Sequence, residues 1–137
     1  MSELLPALGA TIKALRARMD AALRERGLRL GQYQLLRVLW ERDALTPREL
    51  AEQVGVEMPT VTRTVQRMVR DGLVHREANA DDARSVRIVL TSKGRAMESV
   101  ALDVLAQTTR AALAGIPSQE SDRVAQTLER ILANLAG

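Results

Sequence analysis

The sequence predicts a mainly α-helical fold of the α+β class, in which a single small β-hairpin interrupts the helices. Two observations predict it. Apolar residues recur at spacings of three and four along most of the 137 residues, whereas the stretch ADDARSVRIVLTSKG, residues 80–94, ends in a run that alternates apolar and polar side chains. With 46% hydrophobic and 27% charged residues, the chain has the composition of a globular protein. One Tyr, one Trp and no Phe predict an aliphatic core.

The first segment, residues 2–26, is predicted to be a long helix that Ser2 caps. Its apolar residues recur at coiled-coil spacing over more than two heptads. These residues are Leu5, Leu8, Ile12, Leu15, Met19 and Ala22. Gly27 and Gly31 bracket a break, after which a second helix is predicted from about Gln32 to Arg42.

The stretch TPRELAEQVGV predicts a short helix with well-defined ends. Thr46 is a good N-cap, Pro47 suits the first helical position, and Glu49 completes a capping box with Thr46. Gly55 ends this helix, and Pro59 opens the next one a few residues later. Two short helices joined by a tight turn that contains glycine predict a helix-turn-helix.

The second helix of this pair, from about Met58 to Asp71, separates two kinds of side chain. At about 100° per residue, one side collects the apolar residues Val61, Val65, Met68 and Val69. The other side, here called the polar arc, carries no acid and consists of Thr62, Arg63, Gln66, Arg67 and Arg70. A solvated helix face normally mixes both charges, so the arc indicates a binding surface; a merely solvated basic face is the alternative.

A hairpin follows this helix. Gly72 ends the helix, residues 73–77 form the first predicted strand, and residues 85–90 form the second, whose apolar side chains occur at every other position. The polar connection runs from about residue 78 to 84. A hairpin directly after the second helix makes the motif a winged helix-turn-helix, in which the hairpin is the wing.

Two further helices complete the chain. Thr91 is predicted to cap a helix that runs to Ala114, and Ser118 starts the last one. The last helix has an apolar face made of Val124, Leu128, Ile131, Leu132 and Leu135. The chain therefore divides into a helical region, residues 1–30 and 92–137, and a winged helix-turn-helix, residues 31–91.

Several short motifs resemble the MarR family of bacterial transcriptional regulators. They are TVTR in the second helix of the pair, GLVxR at the start of the hairpin, and D-x-R followed by L-T-x-x-G, here Asp82, Arg84, Leu90, Thr91 and Gly94. The resemblance covers essentially the whole chain. Ala83 stands where the family often has a second arginine, which removes one possible phosphate contact.

The resemblance implies a homodimer, held by the first and last helices, that binds double-stranded DNA at a pseudo-palindromic operator. Many members are repressors that release DNA when a small molecule enters a pocket between the dimerisation and DNA-binding parts. Tyr33 and Trp40 lie where that pocket is lined, although core packing explains both residues as well. The long apolar faces of the terminal helices also indicate a partner subunit; packing within a monomer is the alternative.

The polar arc has the residue types that bind DNA in the major groove, which admits one α-helix. We expect Arg63 to contact guanine, Gln66 to pair with adenine and Arg70 to meet a phosphate. The full set expected on this helix is Pro59, Thr60, Thr62, Arg63, Gln66, Arg67 and Arg70.

The wing is expected to add a second contact. An arginine at the hairpin tip, Arg84, can enter the adjacent minor groove, where a narrow A·T-rich tract has an enhanced negative potential. Asp82 is expected to bond to the turn backbone or hold Arg84 in place, and a turn with a casual ion pair at Asp81 and Asp82 is the alternative. Arg87 and Arg76 are strand residues whose side chains are expected either to contact backbone phosphates or to be solvated, and the two interpretations are equally good.

Charge supports an anionic partner. The chain carries a net charge of +3, and the window from Thr60 to Arg95 holds eight Lys or Arg residues against four acids. Because this window alone exceeds the surplus of the whole chain, the positive charge is localised. A module that binds a protein partner or non-specific nucleic acid is the second hypothesis.

Neither an enzyme, nor a cofactor, nor a metal is expected. The absence of cysteine excludes thiol redox sensing and Cys-ligated zinc, and the sole histidine, His75, has no nucleophile to pair with. His75 and Glu77 are too few to make a metal site. The start, MSELLPALGATIKAL, resembles neither a secretory signal nor a membrane span, so we expect a cytoplasmic protein without a membrane partner.

Overall fold

The computed structural model describes residues 3–137, which form six helices and one antiparallel hairpin. In chain order the elements are α1 (Leu4–Glu25), α2 (Leu30–Glu41), α3 (Pro47–Val54), α4 (Met58–Arg70), β1 (Val74–Ala78), β2 (Val86–Leu90), α5 (Ser92–Ala112) and α6 (Ser118–Ala136). Each predicted element is present in its predicted order, so the mainly helical fold with a hairpin wing is confirmed.

Element boundaries differ from expectation by one or two residues. α2 begins at Leu30, two residues early, because the Gln32 side chain accepts a hydrogen bond of 3.1 Å from the Arg29 backbone N–H and so fixes the first turn. β1 begins at Val74 instead of Leu73. The predicted capping residue Ser2 lies outside the described residues, and Glu3, which precedes α1, makes no capping bond through its side chain.

α3 has the capping box that its sequence predicted. The Glu49 N–H donates to Thr46 Oγ1 at 3.2 Å, and the Thr46 N–H donates to the Glu49 carboxylate at 3.1 Å. The bond from the Thr46 backbone is the main cause of a lowered pKa at Glu49, to which the nearby Arg42 and Arg87 also contribute. Since the pKa is lower in the folded chain, the ionised Glu49 stabilises the fold at neutral pH, and this stabilisation is lost as pH falls through the lowered value.

One continuous aliphatic core joins the helical region to the winged helix-turn-helix. Tyr33 is buried in it and Trp40 packs at its edge, with the two ring centroids 6.2 Å apart. The most completely buried side chains come from both regions, and they are Leu23, Leu28, Leu36, Leu39, Leu50, Val61, Met68, Leu73, Val74, Ile88 and Val104. Because the core is shared, the wing and α4 are held against α1, α2 and α5.

The terminal helices leave much of their apolar surface uncovered. Within the described residues, α6 buries none of its side chains. Leu132 and Leu135 are 67% and 80% exposed, and on α1 Leu5 and Ile12 are 78% and 53% exposed. No helix in the described part of the chain is long and apolar enough to cross a membrane.

Gly94 is required by a close approach between the start of α5 and the residue before the wing. A Cβ at this position would collide with the carbonyl oxygen of Leu73, and the Gly94 carbonyl itself accepts a hydrogen bond of 2.9 Å from the Trp40 indole N–H. We expect Gly94→Ala to lower the free energy of unfolding by about 1–3 kcal/mol through overpacking. Urea denaturation followed by circular dichroism measures this.

Gly31→Ala is the matched control, because Gly31 is exposed within α2, outside the terminal helices, and a Cβ there would meet no atom within 4 Å. Alanine is the better helix former, so this variant should be slightly more stable than the natural protein. Equal stability of the Gly94→Ala and Gly31→Ala variants would contradict the steric account.

Candidate nucleic-acid interface

α4 turns its apolar side inward and its polar arc outward. Val61, Val65 and Met68 are buried and hold the helix on the core. The polar arc is exposed over its whole length, as are Pro59 and Thr60 at the start of the helix. The predicted contact residues of α4 therefore lie together on one accessible face.

Most side chains of the polar arc are free to bind a partner. Among residues 3–137, the structure gives Arg63, Gln66 and Arg67 no side-chain hydrogen bond or ion pair. Arg70 differs, because its Nε lies 3.5 Å from Asp71 Oδ1 and part of its charge is neutralised. Exposed donors without a partner in the protein can bond to base edges or phosphate oxygens, and no hydrogen bond within the protein has to break first.

A basic groove of about 700 Å³ adjoins the polar arc on the side of α1 and α2. Its only acid is Asp71, whose Oδ2 accepts a hydrogen bond of 2.8 Å from the Gln32 side chain. The basic residues that line it are Arg24, Arg29, Arg67, Arg70 and Lys93. Positive charge thus extends beyond α4 itself, which raises the local potential for an anionic partner.

The wing carries its exposed arginine in the loop of the hairpin, two residues before β2. β1 and β2 pair from Val74 opposite Leu90 to Ala78 opposite Val86, so residues 79–85 form the loop. The side chain of Arg84 is 93% exposed. Asp82 Oδ1 accepts a hydrogen bond of 2.9 Å from the Arg84 backbone N–H and lies 3.4 Å from Arg84 Nε. The carboxylate therefore contacts both the turn backbone and the guanidinium group, as its expected local role requires.

Arg87 lies in an environment that differs from the expected one. Its side chain is 29% exposed, and its guanidinium group donates three hydrogen bonds within the protein. The acceptors are the Ala44 carbonyl at 2.8 Å, Asn79 Oδ1 at 3.2 Å and Asp81 Oδ2 at 3.1 Å. A phosphate contact by Arg87 would have to use its remaining N–H groups, on a side chain whose charge the Asp81 carboxylate 3.1 Å away already offsets. Arg76, by contrast, is exposed on β1.

Tyr33 and Trp40, the residues expected at a ligand pocket, make the contacts of core residues. Burial raises the pKa of the Tyr33 hydroxyl, an effect that the nearby Arg37 partly offsets. The Trp40 indole N–H is already bonded to the Gly94 carbonyl. Tyr33 is buried and Trp40 is partly buried, and their part in ligand binding stays a prediction.

His75 and Glu77 lie on the same strand, with His75 Nε2 3.7 Å from Glu77 Oε1. Both side chains are about half exposed. Across the described residues, no cluster of three or more His, Cys, Asp or Glu side chains could hold a metal ion.

Comparison with known proteins identifies relatives of the helix-turn-helix and its wing. The model of the MarR family matches residues 28–86, which contain α2, α3, α4 and β1 and end at the first residue of β2. The organic hydroperoxide resistance transcriptional regulator of Bacillus subtilis (strain 168) is 37% identical over 73 residues, or 53% of this chain and 50% of that protein. The alignment thus spans only about half of the length of that regulator.

Two solved structures extend the likeness to nearly the full chain. The crystal structure of transcriptional regulator PA3341 has 37% sequence identity and a TM-score of 0.80, with 97% of this chain and 98% of that chain covered. A MarR family transcriptional regulator from Listeria monocytogenes, in complex with a 26mer DNA, has a TM-score of 0.84 over 99% of this chain and 91% of its own. At 20% identity, this second likeness supports the fold alone.

Proposed function

This chain belongs to the MarR family of transcriptional regulators, and from that premise we propose that it binds double-stranded DNA as a homodimer at a pseudo-palindromic operator. The observation that carries the proposal is the acid-free, exposed polar arc of α4, whose donors at Arg63, Gln66 and Arg67 have no partner in the described chain. The exposed Arg84 beside it supplies a second contact outside the major groove.

Each proposed contact follows from the chemistry of the side chain. Arg63 bonds to guanine O6 and N7, and Gln66 pairs with adenine, because these side chains match those base edges in the major groove. Arg70 contacts a phosphate, Thr62 and Arg67 lie beside Arg63 and Gln66 at the base edges, and Pro59 and Thr60 lie against the DNA at the start of α4. Arg84 enters the minor groove, where its charge is most favourable in A·T-rich sequence.

Dimerisation is proposed because α1 and α6 expose apolar side chains that a second copy can cover. Residues 1–30 and 92–137 form the dimerisation region in this proposal, and residues 31–91 form the DNA-binding region. A two-fold axis then presents two copies of α4 to two half-sites about one helical turn of DNA apart. The exposed leucines Leu132 and Leu135 of α6 support this arrangement.

Regulation by a small molecule, and repression as its outcome, are proposed because they are common in the family. The Bacillus subtilis relative is named for organic hydroperoxide resistance. The present sequence contains no cysteine, so the thiolate chemistry with which proteins react most readily with peroxides is absent from these residues. An effector that binds without a covalent step fits this chain better.

Nuclease footprinting on the DNA upstream of the gene for this protein tests the proposal. We expect one discrete protected segment of roughly two helical turns, at protein concentrations that leave unrelated DNA unprotected. Candidate effectors can then be added and loss of protection scored. A winged-helix module that binds a protein or non-specific nucleic acid would give no discrete segment, and that outcome would exclude the operator-binding function on this DNA.

A further inference from the structure

The turn between α2 and α3 ties the wing to the helix-turn-helix. Ala44 has a φ of 60°, a left-handed conformation that is unfavourable for a residue with a side chain. Asp43 Oδ1 accepts hydrogen bonds from the backbone N–H groups of Ala44, at 2.7 Å, and of Leu90, at 3.0 Å. The Ile88 N–H donates to the Leu45 carbonyl at 2.7 Å. The turn is therefore held to β2 on both sides of Ala44, by the Asp43 carboxylate before it and by the Leu45 backbone carbonyl after it.

Arg87 connects this turn to the loop of the wing. Its Nη1 donates to the Ala44 carbonyl, while Nε and Nη2 donate to Asn79 and Asp81. These two acceptors lie in the first half of the hairpin loop, and Arg84 lies in the second half. Asn79 is buried, and it braces the loop by donating to Ser85 Oγ at 2.8 Å and accepting from the Asp81 N–H at 3.1 Å. One guanidinium group thus joins the base of the loop to the start of the helix-turn-helix.

The charge on Arg87 is already matched inside the protein. Asp81 Oδ2 lies 3.1 Å from its Nη2, and Glu49 Oε1 lies 3.9 Å from its Nη1. Arg84 differs from Arg87 in exposure and in the number of nearby carboxylates. Its side chain is 93% exposed, and a single acid, Asp82, lies close to it. The two wing arginines are therefore suited to different tasks. Arg87 is anchored through all three of its guanidinium nitrogens, whereas Arg84 bonds only through Nε and leaves both Nη groups exposed for DNA.

We propose that Arg87 is a positioning residue, which docks the wing on the α2–α3 turn so that Arg84 reaches the minor groove, and which does not itself contact DNA. The inference rests on the proposed DNA-binding function. The inference also goes beyond that function, because Arg87 was expected either to contact a phosphate or to be solvated and is now proposed to act by placing Arg84.

A double-mutant cycle with Arg84→Ala and Arg87→Met tests the proposal. The probe is the tightest duplex that the unmodified protein selects from a random-sequence pool, and affinity is measured over a range of salt concentrations. We expect Arg87→Met to weaken binding about tenfold in the natural chain, but less than about twofold when Arg84 is already alanine, because coupled residues are not additive. In the Arg84→Ala background the salt slope should not change further.

A direct phosphate contact would give a different pattern. The loss on Arg87→Met would then be equal in both backgrounds, and the log–log salt slope would fall by roughly 0.9 for each lost contact in either background. Either result would overturn the proposal. If the unmodified protein selects no preferred duplex, then the DNA-binding function fails instead, so the two failures are distinguishable.

Thermal unfolding shows whether the Arg87→Met protein is folded. If it is not, two further variants test the proposal in its place. Arg87→Lys retains the charge but cannot form the three directed bonds of a guanidinium group, so positioning predicts a loss close to that of Arg87→Met. Asn79→Ala alters no charge and should also weaken binding only when Arg84 is present. Unchanged affinity of folded Arg87→Lys and Asn79→Ala proteins would contradict the positioning role.

Discussion

Replacing Arg63 with alanine should remove most of the preference for operator over random DNA. A bidentate arginine–guanine pair contributes about 1–3 kcal/mol of discrimination, so the preference should fall by roughly 10-fold to 100-fold for each half-site that uses it. Binding to random DNA should weaken much less, because only one charge per subunit is lost. Competition titrations of a labelled operator against unrelated duplex measure the ratio directly.

Arg84→Ala provides the contrast, and Arg37→Ala provides the control. Arg84 is proposed to bind through the minor groove, so its loss should weaken operator and random DNA together and flatten the salt dependence. Arg37 is exposed on α2, belongs neither to the proposed DNA contacts nor to the proposed dimerisation region, and its removal takes away the same charge. An Arg63→Ala protein with unaltered preference and salt slope would refute the assignment.

Placing two acids on the apolar face of α6 should separate the subunits and abolish tight operator binding. Leu128 and Leu132 are 42% and 67% exposed in the single chain, and a carboxylate at either site would be buried without a partner in a dimer. The Leu128→Glu/Leu132→Glu protein should therefore sediment as a monomer at micromolar concentration. Because two linked half-sites gain affinity from their connection, operator affinity should fall by about 100-fold or more.

Gln126→Glu is the matched control for this variant. Gln126 is exposed on the same helix but lies on the side away from Leu128 and Leu132, so its negative charge should leave both the dimer and operator affinity intact. If the double leucine variant still sedimented as a dimer with normal affinity, then α6 would not form the proposed interface.

Local chemistry explains why much of the fold could be predicted. The capping box of Thr46 and Glu49, the left-handed Gly55 and the two sides of α4 all depend on residues within a few positions of one another. These features are determined by short-range geometry, so the local sequence pattern is enough to predict them. The exposed polar arc was predictable for the same reason.

The environment of Arg87 could not be predicted in this way. Its acceptors include Ala44, which lies 43 residues away in the chain and which meets β2 only after α2, α3 and the hairpin have packed. The alternating pattern of the strand showed that the side chain of residue 87 would point to one side of the hairpin, but not which acceptor groups would lie on that side. A partial indication was present in Asn79 and Asp81, polar residues close before the strand that could accept from a nearby arginine.

Gly94 and Trp40 show a second limit of sequence reasoning. The motif L-T-x-x-G marked Gly94 as part of a family pattern, yet its physical reason, the close approach of the Leu73 carbonyl, depends on how α5 packs beneath the wing. For Trp40 both a ligand pocket and core packing were open from the sequence, and the bond from its indole N–H to the Gly94 carbonyl was not predicted. Long-range packing thus decides the role of residues whose local pattern allows more than one.

Methylation protection of guanine N7 across the footprinted segment tests the central claim most directly, because N7 lies in the major groove. The proposed dimer should protect two symmetry-related guanines, one in each half-site, at centres about one helical turn apart. Both protections should disappear together in the Arg63→Ala protein. Protection of a single half-site, or of guanines that remain protected without Arg63, would contradict a two-fold dimer that presents Arg63 to DNA.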